Sequence, residues 1–148
     1  MNVKWPVLCH GLLLALPLAA AAQPATRVTA GLAAPVVLDA LNAYRSGQGL
    51  APLTAAPGLQ RLAAEHSAMM ASQGGLSHEG FDRRFEGAGA ELCVENVAQG
   101  HRSAEQLIQG WRAVPTHHRN MLESRVTYAG IASQGRYVTF LACDVPGR

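Results

Sequence analysis

Two imidazoles and one carboxylate are the side chains of this sequence best suited to act together. They are His78 in Leu76-Ser77-His78, Glu95 in Glu95-Asn96, and His117 in a run that continues through His118, Arg119, Asn120, Met121 and Leu122. A neutral imidazole offers one donor and one acceptor, whereas an ionised carboxylate only accepts. The three could hold a divalent cation or form a hydrogen-bonded pocket. They lie too far apart in the chain for one helix to present them, as a zinc-protease helix does with two histidines four residues apart. Only a tertiary fold can assemble them in one cleft, and spacing alone fits three solvated polar side chains as well.

Other catalytic arrangements are missing. The sequence contains no GxSxG elbow, no HExxH helix, no phosphate-binding glycine loop and no paired CxxC zinc motif. Ser77 beside His78 reads as a loop or cap hydroxyl. A Cys–His nucleophile pair is conceivable, but Cys93 and Cys143 are better partnered with each other.

The elements that must position these residues follow from periodicity. Val37, Leu38, Leu41 and Tyr44 recur at helical spacing, which predicts a helix over residues 36–46 that ends at Gly47 and Gly49. A second helix starts near Pro57 and carries Leu59, Leu62, Ala63, His66, Met69, Met70 and Gln73 on one stripe to Gly74-Gly75. His66 on that stripe reads as a core histidine with a hydrogen-bond partner, and the methionines as core. Residues 81–90, with Gly87 and Gly89 among charges and Gly80 just before them, read as an ordered loop. Leu92, Val94 and Val97 then signal a strand, in which Cys93 and Glu95 share a face because side chains alternate. Ser103 can cap a third helix through Ala104, Leu107, Ile108 and Trp111. Pro115 separates that helix from a short fourth one. Val126–Ser133 and Arg136–Cys143 read as two strands joined around Gln134-Gly135.

Lys4, an apolar stretch from Val7 to Leu18 and Ala20-Ala21-Ala22 have the grammar of a signal peptide over residues 1–22. His10 and Pro17 break the stretch, which is too short to span a bilayer, so no transmembrane anchor is expected. No cysteine follows the small residues to carry a lipoprotein anchor. Residues 23–34 read as a flexible leader and 35–148 as one domain. The expected localisation is secreted or periplasmic. Lys4 is the one lysine, so the exported chain carries eleven arginines against ten acidic residues. That balance argues against a nucleic-acid partner. With Cys9 in the signal, Cys93 and Cys143 remain. In an oxidising compartment they read as a disulfide, two reduced buried thiols being the alternative.

The ordered set formed by Leu41-Asn42-Ala43-Tyr44-Arg45, Gly49-Leu50-Ala51-Pro52-Leu53, Leu76-Ser77-His78, Glu95-Asn96, Trp111 and His117 to Leu122 resembles the CAP superfamily. This is the SCP-like extracellular or cysteine-rich secretory protein domain, here in its bacterial form. The resemblance runs from about Val36 to Asp144. It implies an α/β fold, a three-layer α/β/α sandwich with a central antiparallel sheet, the first helix on one side and the others opposite. His78, Glu95 and His117 match three of the four residues of the family's polar cleft. His117 is favoured over His118 as the cleft imidazole.

The fourth cleft position, a glutamate in many eukaryotic members, is Val114 here and cannot help hold a cation. Asn96, Asn120 and Trp111 match family positions with structural roles. The resemblance implies an exported binding or interaction module, with no cofactor required and with zinc or another divalent cation as a candidate on His78, His117 and Glu95. A metal-dependent hydrolase with Glu95 as base is the alternative. A lipid- or sterol-binding module is another, with Met69, Met70, Leu107 and Trp111 as candidate groove residues. The partner is otherwise unassigned beyond a cell-envelope component.

Overall fold

A computed structural model describes residues 32–147. The expected signal peptide and most of the leader lie outside the described residues. Four strands form one mixed sheet in the order β1-β3-β4-β2: β1 Thr54–Ala55, β2 Cys93–Gln99, β3 Tyr128–Gln134 and β4 Tyr137–Cys143. The three long strands pair antiparallel, as expected, and β1 adds a short parallel pairing on β3 that alternation could not reveal in two residues.

β4 is buried along its whole length because it lies inside the sheet with helices on both faces. Val138, Phe140 and Ala142 point into the larger apolar cluster, while Leu141 and Cys143 point the other way into a second. The hairpin turns at Gly135, whose φ of 57° is easily reached only without a Cβ.

α1 (Ala34–Gly47), α4 (Ala104–Arg112) and α5 (Pro115–Met121) form one helical layer, and α2 (Pro57–Gln73) with α3 (Phe81–Ala88) forms the other. This division differs from the expected one, in which the first helix stood alone. Val37 and Leu41 of α1 share an apolar cluster with Leu107, Ile108 and Trp111 of α4, so burial joins the two helices. Ser103 caps α4 as expected, its hydroxyl accepting from the Gln106 N–H at 3.2 Å.

The segment expected to be a loop is instead α3. Gly80 precedes the helix and Gly89 ends it, both left-handed, while Gly87 lies within its last turn. Arg84 and Ala88, four residues apart, are its buried pair, and Phe81 stacks on Phe85 at 6.4 Å.

Polar side chains tie the long connection after α1 into place. Asn42 exchanges both hydrogen bonds of its amide with the backbone of Leu53. Arg45, buried at 1% exposure, donates to the carbonyls of Ala51, Met121 and Glu123, which anchors the end of α5 to α1. Burial lowers the Arg45 pKa from its ordinary value, against the opposing charge of Glu123. Cys93 and Cys143 are register partners across β2 and β4 and form the expected disulfide. With a sequence separation of 50, that link contributes about 4 kcal/mol in the chain-entropy description.

α2 crosses β3 at Gly130, where a Cβ would collide with the backbone of Leu59 and Gln60. Backbone cannot move aside as a side-chain tip can. Gly130→Ala is therefore expected to cost about 3 kcal/mol, seen as a lower urea midpoint with an unchanged slope. A loss under about 0.5 kcal/mol, typical of surface positions, would show that α2 does not rest on the strand in this way.

Candidate functional site

The cleft opens at β2, the outer strand of the sheet, between the loop after α2 and the start of α5. Gly74 at φ 73° ends α2 and turns the chain toward His78. β2 supplies Glu95, and Pro115, whose fixed φ suits a first helical turn, opens the helix that carries His117. His78, Glu95 and His117 do line one cleft of about 360 Å³, with Phe81, Val94 and Thr116 among its other walls.

Within it, Glu95 is held by groups that only partly coincide with those read from the sequence. Its side chain is buried, and Arg84 donates to both oxygens, Nε to Oε2 at 2.6 Å and Nη2 to Oε1 at 2.8 Å. This two-pronged geometry is the strongest pairing available to a carboxylate. Oε1 also accepts from His78 Nδ1 at 2.9 Å. With Nδ1 donating, His78 directs Nε2 as its acceptor edge, and its side chain is 52% exposed. Burial pushes the Glu95 carboxyl up, but the hydrogen bonds from His78 and Arg84 and the guanidinium charge outweigh it, so its pKa lies below the ordinary value. The His117 pKa is lowered, first by burial and then by the nearby His78.

Asn96 and Asn120 fix the backbone of this site. Asn96 Nδ2 donates to the carbonyl of His117 at 2.9 Å, and Asn120 Nδ2 donates to Asn96 Oδ1 and to the carbonyl of Glu95. β2 and α5 therefore cannot slide past one another without leaving buried amides unpaired. The neighbouring His118 is turned away from the cleft, its Nε2 hydrogen-bonded to the Tyr44 hydroxyl at 2.7 Å, while Arg112 lies 4.8 Å above the Tyr44 ring. Trp111 is a core residue that packs on Phe140 and donates to the Val97 carbonyl. Val114 caps α5 as an exposed apolar residue and gives the cleft no polar atom.

The proposed metal ligand set does not fit this geometry. Among the described residues no three His, Cys, Asp or Glu side chains are arranged to hold a metal ion. Both Glu95 oxygens are held by Arg84, and one also accepts from His78. Glu95 is thus the carboxylate behind His78 and not a ligand beside it, which leaves two imidazoles as the cation-binding groups.

Arg84 is the residue that sequence reasoning missed. Once residues 81–88 are helical, Phe81, Arg84, Phe85 and Ala88 fall at intervals of three and four on one face, which places an arginine against the core. A buried arginine needs acceptors for its donors, and the carboxylate of Glu95, buried on the adjacent strand, supplies them together with a countercharge.

Comparison with known proteins gives one family and one fold. The family model described as the cysteine-rich secretory protein family, CAP, matches residues 38–144. The Bacillus subtilis protein YkwD is 28% identical over 102 residues, which cover 64% of this chain and 40% of that relative. An extracellular protein containing an SCP domain from Bacillus anthracis superposes with a TM-score of 0.70 at 24% identity, over 74% of this chain and 39% of that one. An outer surface protein of Borrelia burgdorferi does so with a TM-score of 0.69 at 15% identity, over 75% of this chain and 91% of that one. The chain therefore spans well under half the length of the two Bacillus proteins.

Removing Arg84 should leave a buried anion without its countercharge. Arg84→Met is expected to lose about 3–5 kcal/mol at pH 7. The loss should be smaller at pH 4, where Glu95 can take up a proton. The wild type should weaken in acid through two windows. His66 and His117 have lowered pKa values, so their contribution is complete above about pH 6.5 and falls as the pH drops through their folded values. Glu95 contributes fully above about pH 4.3 and loses its contribution below that. Urea midpoints from pH 7 to 3 measure both effects. A variant as stable as wild type at pH 7 would remove the pair from any central role.

Proposed function

The chain belongs to the cysteine-rich secretory protein family, and from that premise we propose that it is an exported, non-enzymatic binding module working through the cleft of His78, Glu95 and His117. The observation that carries the proposal is the pairing of Glu95 with Arg84. A general base needs a free lone pair and a pKa near the working pH. Glu95 has its oxygens held and its pKa lowered, so it serves better to orient His78 than to take a proton. The hydrolase alternative, with Glu95 activating a metal-bound water, is less well supported, because three hydrogen bonds already hold the carboxylate.

A binding role suits the remaining groups. The Nε2 of His78 can accept from a ligand hydroxyl or N–H, while Thr116 and His117 add polar contacts and Phe81 and Val94 an apolar wall. A volume of about 360 Å³ is that of a small-molecule site. The ligand class this favours is a hydroxyl-bearing component of the cell envelope. Export is supported by the extracellular and outer-surface proteins that share the fold. Among the described residues no helix is long and apolar enough to cross a membrane.

The lipid-binding alternative loses most of the residues nominated for it. Met70, Leu107 and Trp111 are core side chains with 1% exposure or less, and Met69 lines a pocket that also carries charged walls. The apolar surface of Met70, Leu107 and Trp111 is already buried against neighbours, which leaves Met69 alone of the four on an open surface.

Titration of the domain with micromolar zinc is expected to give no saturable one-to-one binding, and casein with added zinc should remain uncleaved by wild type and by Glu95→Gln alike. Tight one-to-one binding abolished in a His78→Ala, His117→Ala variant, or turnover abolished by Glu95→Gln, would reverse the proposal in favour of a metal-dependent enzyme.

A further inference from the structure

A second pocket lies back to back with the cleft, on the far side of the Arg84–Glu95 pair. It has a volume of about 340 Å³ and runs between α2 and the start of α3. Its walls combine two carboxylates, Glu65 and Glu79, with the guanidinium of Arg83, an apolar floor at Leu62 and Met69, and the ring of His66.

His66 is the unusual member. Its side chain is 1% exposed, and Nε2 lies 2.7 Å from the Ser77 carbonyl oxygen, to which it must donate. Nε2 therefore carries the ring proton and Nδ1 is a bare acceptor, yet Nδ1 is buried without any hydrogen-bond partner. The 3.3 Å approach of Arg84 Nη2 to Nε2 cannot supply one, since it joins two donors at the other nitrogen. A buried acceptor of this kind lacks a donor that the protein itself does not provide.

The other walls say what that donor belongs to. Arg84 is occupied by Glu95 and by the Glu79 carbonyl. Arg83 is exposed and, among the described residues, holds no hydrogen bond or ion pair, and it lies against Gly80, where a Cβ would come within 3.5 Å of its Nη2. Glu65 takes part in an exposed pair with Arg61 at 3.6 Å, a contact of little strength. Positive and negative groups thus face one pocket with apolar surface between them. Met69 is half-buried and unbranched, so it is the wall residue most easily displaced to admit a donor toward Nδ1.

We infer that this pocket is a second ligand site, which takes a small zwitterion of the free α-amino-acid type with an unbranched apolar side chain. The ligand ammonium is met by Glu65, Glu79 and His66 Nδ1, its carboxylate by Arg83, and its side chain by Leu62 and Met69. A simple cation would face Arg83 and a simple anion would face the two glutamates, so neither single charge satisfies the pocket.

The test is a titration of the wild-type protein with L-norleucine at physiological salt, followed through the ring nitrogens of all its histidines by long-range proton–nitrogen NMR. The site requires a saturable shift of His66 Nδ1 with His78 and His117 unmoved. Blocking either end of the probe, as N-acetyl-norleucine or as norleucine methyl ester, should weaken binding about tenfold or more. The exposed substitutions Glu65→Gln with Glu79→Gln, and separately Arg83→Gln, should weaken norleucine by a similar factor without threatening the fold. An unmoved His66 at millimolar norleucine, equal binding of the blocked probes, or indifference to the rim substitutions would each overturn the assignment.

Discussion

A carboxylate buried on an outer strand has to find a positive partner, and most of what surrounds the cleft follows from how Glu95 finds one. Isolated charges in a protein interior cost several kcal/mol or more. Glu95 is buried on β2, and the guanidinium that neutralises it reaches across from α3 with two hydrogen bonds. That reach sets the helical register of residues 81–88 and the approach of α3 to the sheet. The same guanidinium donates to the Glu79 carbonyl, so the loop that presents His78 is fastened to the same point. One ion pair thereby positions the imidazole on one side and forms the wall of a second pocket on the other.

Around that pair the fold relies on polar side chains bonded to backbone. Asn96 and Asn120 lock β2 to α5, Asn42 closes on Leu53, and Arg45 gathers the carbonyls at the end of α5. Each of these leaves an unpaired buried group if it is removed, which makes them costlier to lose than surface contacts. They also give the motif residues around Leu41–Arg45 and Gly49–Leu53 a physical role beside the cleft. These residues hold the scaffold against which the cleft side chains are aimed. The disulfide pins β2 to β4 two residues before Glu95, at the edge of the same cleft.

Much of this was legible in the sequence where one physical signal dominated. Apolar periodicity located α1, α2 and α4, Ser103 and Pro115 marked helix starts, and Gly135 marked the hairpin. The resemblance carried the three-layer fold and the meeting of His78, Glu95 and His117 in one cleft, which spacing could not decide. Two things were hidden. α3 was masked because Gly80 and Gly89 at its ends and Gly87 in its last turn look, in sequence, like glycines within a loop. Arg84 was then hidden with it, since a buried arginine cannot be told from a surface one until its helix is known. Met70, Leu107 and Trp111 show the converse ambiguity, in that an apolar stripe reads equally as core or as groove until a neighbour covers it.

The state of Glu95 decides between a binding cleft and a catalytic or metal-holding one. The most direct measurement is the pH titration of its side-chain carboxyl carbon by NMR, repeated with one equivalent of zinc. A carboxyl that ionises below the ordinary glutamate value and does not move on adding zinc is the result this account requires. Ionisation at or above about 4.3, or a shift with zinc, would contradict it.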